Sequence, residues 1–161
     1  MRKIIFKIHD LLIEKEKTIA VAESCTGGLL SALLTQVSGS SQYFMLGVTS
    51  YSNSAKATIL KIPSMVIAKN GAVSKNVASR MAASVRKLAK TDLGIGITGI
   101  AGPTGNSPGK PVGTVFIAIN SKTKKTCNKY IFKGNRKAIR EKAALKSLEL
   151  LKKMLYQGAY K

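Results

Sequence analysis

The apolar positions change period several times along the chain. Ile4, Ile5, Ile8, Leu11 and Leu12 recur at helical spacing and predict a helix over residues 3–16. Thr18-Ile19-Ala20-Val21-Ala22 is a short run of the kind a buried strand needs. Ser24 to Gly28 interrupt it as a turn, and Leu29 to Val37 return to the helical pattern. A strand is predicted from Tyr43 to Ser50, then a helix from Asn53 to Leu60, broken by Pro63. Ser74 is placed to cap a helix over residues 74–90, with Val77, Met81, Val85 and Leu88 on one face. Leu93 to Ile97 read as a third strand, followed by a glycine-rich loop from Thr98 to Gly113. Strands at 114–120 and 126–132 flank a lysine-rich turn and predict a hairpin. From Arg136 to Leu155 a long amphipathic helix turns Ile139, Ala143, Leu148, Leu151 and Leu155 inward.

Strands alternating with helices, then a late hairpin, predict a three-layer α/β/α sandwich with a mixed, mostly parallel sheet. The pattern contains no internal repeat and no linker, so residues 1–161 are expected to form a single domain.

Composition changes this picture little. An apolar fraction of 45% is that of a folded protein. No apolar run reaches the 18 or so residues that span a bilayer. The N-terminus alternates charged with apolar residues and lacks a signal-peptide core, so a cytoplasmic location without membrane contact is expected. Cys25 and Cys127 are expected to stay reduced. The net charge of +20 is the unusual quantity. Such a charge suits nucleic acid or a phosphorylated substrate. The cations are mostly lysines dispersed along the chain with few aromatics between them, the pattern of solvated helix faces. Nucleic acid is therefore not expected as a primary partner.

The inventory of reactive side chains narrows the chemistry. His9 is the single histidine and falls in the first helix, which argues against Ser-His-Asp and Cys-His arrangements. One histidine and two cysteines without ligand spacing argue against a zinc site. Only Glu23 and Asp92 occur between residues 17 and 140, too few carboxylates for glycosidase chemistry. No metal and no cofactor are expected. Two glycine-bearing turns, Glu23-Ser24-Cys25-Thr26-Gly27-Gly28 and Thr98-Gly99-Ile100-Ala101-Gly102-Pro103, each follow a strand. Their amides can meet an anion where the first opens a helix, and together they predict a crevice at the strand ends. Neither turn is a Walker loop or a dinucleotide fingerprint. A third cluster joins Ser38-Gly39-Ser40-Ser41 to Tyr51-Ser52-Asn53-Ser54-Ala55-Lys56. A serine, a tyrosine and a lysine from it can converge, and the lysine can act as base only if its pKa falls.

At these residues the sequence resembles the CinA C-terminal domain family, which includes nicotinamide-nucleotide amidases. The matching stretches are Ala22 to Gly28, Gly39-Ser40-Ser41, Gly47 to Lys56, Gly71 to Ser74, Thr98 to Pro103 and Lys110 to Thr114. They occur in the family's order and cover nearly the whole chain. The resemblance implies hydrolysis of nicotinamide mononucleotide to nicotinate mononucleotide and ammonia, in pyridine nucleotide salvage. It implies Ser41 as nucleophile, Lys56 as general base and Tyr51 as an aid to proton transfer or orientation. Ser24, Thr26, Gly27, Thr98, Gly99 and Gly102 are implied in the substrate pocket. Arg136 or Arg140, near the family's Gly-Asp-Arg region (here Gly134-Asn135-Arg136), is implied for the phosphate. A homo-oligomer is expected. Longer relatives carry a preceding nucleotide-hydrolase domain, which is expected to be absent here.

Three other readings stand beside this one. The same fold can serve as a non-catalytic nucleotide-binding module, motivated by Ser54 and Asn135 where relatives commonly carry acids. The charge allows a basic, nucleic-acid-associated protein. Cys25 is a candidate nucleophile at a helix N-terminus, which the resemblance does not support.

Overall fold

A computed structural model describes residues 2–157. In chain order the elements are α1 (Arg2–Glu14), β1 (Ile19–Glu23), α2 (Leu29–Leu34), β2 (Phe44–Thr49), α3 (Asn53–Thr58), α4 (Ser64–Asn70), α5 (Lys75–Ala89), β3 (Leu93–Gly99), β4 (Thr114–Asn120), β5 (Lys125–Ile131) and α6 (Arg136–Gln157). A short 3-10 turn, Ser40–Gln42, precedes β2.

The strands form one sheet in the order β2-β1-β3-β4-β5. β1 runs parallel to β2 and β3, and the hairpin β4–β5 adds antiparallel to β3. Four of the five strands thus run the same way, with β4 alone reversed, while the pairings divide evenly between parallel and antiparallel.

Alternation along β1 explains the layers. Ile19 and Val21 enter one core with Leu12 of α1, Leu34 of α2 and Leu148 of α6. Ala20 and Ala22 enter the opposite core with Val77, Met81 and Val85 of α5. A residue offset by one in a strand changes face, so two small residues between two large ones make a two-sided strand with unequal spacing to its helices. β3 repeats the device. Ile95 and Ile97 join the large-residue core, while Gly94 and Gly96 lie under α5. A Cβ on Gly96 would stand 2.6 Å from the Ala82 amide nitrogen and would also strike the Ala78 carbonyl. Helix α5 rests directly on the backbone of β3, which fixes the height of that strand's end.

Local chemistry adjusts several predicted boundaries. The helix predicted to Val37 ends at Leu34, where Thr35 Oγ1 donates to the Ser31 and Ala32 carbonyls at 2.9 and 3.3 Å. The helix predicted to Leu60 ends at Thr58, well before Pro63, and Pro63 instead caps the start of another helix, α4, which periodicity does not reveal because it is only seven residues long. Ser74 caps α5 by accepting from the Val77 amide at 3.2 Å. Leu88, predicted on the buried face of that helix, is 55% exposed. In that last turn Ala89 rather than Leu88 packs against the core, and the Lys90 cap adopts a left-handed conformation. Among the described residues no helix is long and apolar enough to cross a membrane.

Candidate active site

β1, β2 and β3 end together, and the chain leaves each end with a polar residue. Ser24 follows β1 and donates its amide to Ile97 O at 3.0 Å; Ser50 follows β2 and donates to Glu23 O at 2.9 Å. Thr98 lies at the end of β3, 1% exposed, its hydroxyl donating to Ala72 O at 2.8 Å. A cleft of about 300 Å³ opens over these ends. It is lined by Ser24, Cys25, Tyr51, Asn53, Lys56, Ala72, Val73, Thr98 to Gly102, Thr104, Gly105 and Arg136.

Lys56 is the unusual member. Ser52 caps α3 by accepting from the Ala55 amide at 2.9 Å, and the helix doubles back to bring Lys56 over the end of β2. The side chain is 1% exposed. Its Nζ is 2.8 Å from Ser50 O, 3.1 Å from Ser24 Oγ, 3.3 Å from Tyr51 O and 3.5 Å from Ser52 O. Among the described residues no carboxylate pairs with it. Burial pulls its pKa below the ordinary lysine value of 10.5. A neutral amine has two hydrogens and one lone pair. Nζ is within donating distance of Ser24 Oγ; were Lys56 neutral, the Ser50 and Tyr51 carbonyls would take its two hydrogens and its lone pair would face the Ser24 hydroxyl. That is the geometry of a base beside a nucleophile.

The acid nearest in sequence is turned away from this pair. Glu23 is fully buried, and its carboxylate accepts from the amides of Gly28, Leu30 and Ser31 at 2.8–3.1 Å and from Ser31 Oγ at 2.7 Å. The start of α2, predicted to meet a ligand anion, is therefore occupied by the protein's own carboxylate. Cys25, the alternative nucleophile, is 5% exposed. Burial, with the Glu23 charge adding to it, pushes its thiol up to about 12. It stays protonated, and a helix start already neutralised by Glu23 does not activate it.

Ser41 does not meet Lys56. It sits exposed on the 3-10 turn before β2, while Lys56 follows that strand's far end. Five residue steps of strand put roughly 16 Å between the two ends. The turn bearing Ser41 belongs to the end where β1 begins, since Ile19 donates its amide to Tyr43 O at 2.7 Å. The Ser41–Lys56 pairing is replaced by Ser24–Lys56. Both serines precede the lysine in the sequence, and only the direction of β2 separates them.

The remaining predicted residues divide between the cleft and its supports. Tyr51, Thr98, Gly99 and Gly102 line the cleft. Thr26 and Gly27 do not: Thr26 is fully buried behind the turn, and Gly27 faces outward. Arg136 lines the cleft, its Nη1 donating to Gly102 O and its Nη2 to Tyr51 Oη, both at 2.8 Å. Arg140, one turn later, donates through Nε and Nη2 to Thr26 O at 3.3 and 2.8 Å. Asn53, Ala72, Val73, Thr104 and Gly105 complete the lining without having been singled out. Asn53, Ala72 and Val73 stand in stretches that carry the family resemblance, so a signal for them was present; Thr104 and Gly105 lie outside those stretches. Among the described residues no His, Cys, Asp and Glu group could hold a metal ion.

The profile of the CinA C-terminal domain matches residues 1–155. The chain belongs to the CinA C-terminal domain family. A CinA-like protein of Desulfotalea psychrophila is 47% identical over 150 residues, covering 93% of this chain and 36% of that protein. A putative competence-damage inducible protein of Desulforudis audaxviator is 43% identical over 152 residues, covering 94% and 37%. The chain thus spans little more than a third of the curated relatives it matches. Solved structures are matched over nearly their full length. A CinA superfamily protein from Klebsiella pneumoniae superposes with a TM-score of 0.93 at 30% identity, covering 96% of this chain and 97% of that one. The competence/damage inducible protein CihA from Agrobacterium tumefaciens gives 0.91 at 31%, covering 96% and 94%. The CinA domain fold is thereby shared along the full sheet and both helical layers.

Proposed function

We propose that this CinA domain is a serine amidohydrolase that deamidates nicotinamide mononucleotide, with Ser24 as nucleophile and Lys56 as its base. The observation that carries the proposal is the 3.1 Å approach of Lys56 Nζ to Ser24 Oγ inside the cleft, with no carboxylate paired to the lysine among the described residues. The substrate follows from the family resemblance and from the setting of the pair. An amide needs a strong nucleophile, and a phosphate needs a cation such as Arg136 at the cleft.

In the proposed reaction neutral Lys56 takes the Ser24 proton as Oγ attacks the carboxamide carbon. The resulting ammonium of Lys56 protonates the departing nitrogen, which leaves as ammonia from the tetrahedral adduct. Ser24 then holds the acyl group as an ester. Lys56, neutral again, deprotonates a water that attacks this ester; the carboxylate product leaves and Ser24 regains its proton. One water is consumed and one ammonia released per cycle. Arg136 fixes the Tyr51 hydroxyl and Gly102 carbonyl around the space the ring would enter.

Ammonia release across pyridine nucleotides and simple amides tests the reading. Turnover of nicotinamide mononucleotide is expected from the wild type and is expected to fall at least about 1,000-fold in Ser24→Ala and in Lys56→Met. Undiminished turnover in either variant removes the pair from the chemistry. Ligand-induced stabilisation without ammonia release would instead favour a nucleotide-binding module.

A further inference from the structure

The turn that carries Ser24 is gripped on two sides by charged side chains that stay out of the cleft. Glu23 closes it from the amide side, holding the backbone nitrogens of Gly28, Leu30 and Ser31. Arg140 closes it from the carbonyl side, giving two donors to the single oxygen of Thr26. Between them lie Gly27 at φ 60° and Gly28 at φ 93°, whose conformational freedom would otherwise let the turn drift. The Gly27 amide also donates to Ser24 O at 3.0 Å, so the peptide group between Thr26 and Gly27 is pinned at both ends. Gly27 lies against the guanidinium, where a Cβ would make only ordinary contact, 3.4 Å from Arg140 Nη2. Gly47 of β2 makes room for the other jaw, since a Cβ there would meet Ser31 Oγ at 2.7 Å.

The two arginines of α6 therefore face different tasks. Arg136 reaches the cleft lining. Arg140 directs two donors to a carbonyl behind the nucleophile, in the fixed plane a guanidinium imposes. We infer that Arg140 is a positioning residue: with Glu23 it clamps the Ser24 turn, and it does not serve as a ligand for the substrate's phosphate. The inference rests on the reading of Ser24 as nucleophile.

Kinetics with a phosphorylated substrate and its phosphate-free counterpart separate the two roles. Nicotinamide mononucleotide and nicotinamide riboside are compared in the wild type, Ser24→Ala, Arg136→Met, Arg140→Lys and Arg140→Met. A displaced nucleophile slows the chemical step on any substrate, so Arg140→Met is expected to lower kcat about 10- to 100-fold on both, with KM within about twofold. Arg140→Lys, which keeps one donor for the carbonyl, is expected to recover part of the loss. Arg136→Met is expected to raise KM for the nucleotide alone. A rise in KM for the nucleotide alone in Arg140→Met, or an unchanged kcat, overturns the clamp. Turnover surviving in Ser24→Ala overturns the nucleophile and the clamp together. Amide hydrogen exchange over residues 24–31 reads the turn without any substrate. Exchange at least about tenfold faster in Arg140→Met, or in Arg140→Lys where the methionine variant fails to fold, is expected. Unchanged exchange overturns the clamp even where the substrate assignment itself proves wrong.

Discussion

The two ends of the sheet hold similar polar groups and use them in opposite ways. Where β1 and β3 begin, the Thr18 amide and hydroxyl both donate to Asp92 Oδ2 at 3.0 Å, and the Asp92 amide donates back to Thr18 Oγ1 at 3.1 Å. Beside them Tyr43 Oη donates to Leu34 O at 2.8 Å and packs edge-on against His9. Donors and acceptors there are matched. Where the parallel strands end, a buried lysine meets three carbonyls and a hydroxyl but, among the described residues, no carboxylate. The buried side-chain hydroxyls without a partner among the described residues, Thr26, Ser50 and Thr114, also lie at that end. Buried polar groups cost stability when unmatched. One end of the sheet therefore stabilises the fold, and the other leaves polar groups without full partners, as the proposed chemistry requires.

The largest effect expected from this contrast comes from exchanging the two serines. Ser24→Ala is expected to abolish turnover, whereas Ser41→Ala, on the stabilising end, is expected to leave kcat within about twofold of wild type. A collapse of activity in Ser41→Ala would contradict the assignment of ends.

The pH response sharpens the contrast. Because burial lowers the Lys56 pKa, kcat/KM is expected to rise with pH through that depressed value and level off below 10.5. Its effect on stability has a definite sign. The native state binds this proton more weakly than the unfolded chain, so stability contributed by Lys56 rises with pH between the folded value and 10.5 and is lost as pH falls through the folded value. Denaturant titrations across that window are expected to show this slope in the wild type and not in Lys56→Met. Asp92 provides the carboxylate counterpart. Burial acts to raise its pKa, but bonds from Thr18 and the Lys17 charge leave it below 3.8. Its contribution is present above 3.8 and lost as pH falls through the folded value. Asp92→Ala is expected to cost about 1–2 kcal/mol at neutral pH, with kcat unchanged. The smallest effect is expected from Tyr43→Phe, about 1 kcal/mol in denaturant titration, again without change in kcat.

Much of the architecture was legible without coordinates, and particular elements show why. α6 was read from Ile139, Ala143, Leu148, Leu151 and Leu155, and all five are buried. β1, the α5 cap at Ser74 and the β4–β5 hairpin were read equally well, because each depends on spacing within a few residues. Residues whose environment is set by distant parts of the chain were harder to read. Leu88 satisfied the helical period, yet Ala89 takes the place against the core and Leu88 is left exposed. Arg136 and Arg140 share a helix and differ only in what the neighbouring loops bring to them.

The sequence by itself determined the alternation of elements, and with His9 confined to the first helix it left Lys56 as the proposed base. Tertiary structure alone decided which serine that lysine meets. Ser24 and Ser41 both lie upstream of Lys56, and side-chain identity does not distinguish them. The parallel pairing of β1 with β2 brings the end of β1 beside Lys56 and leaves the start of β2 at the opposite edge. Strand direction is a long-range property, settled by the packing of both helical layers, and no local pattern encodes it.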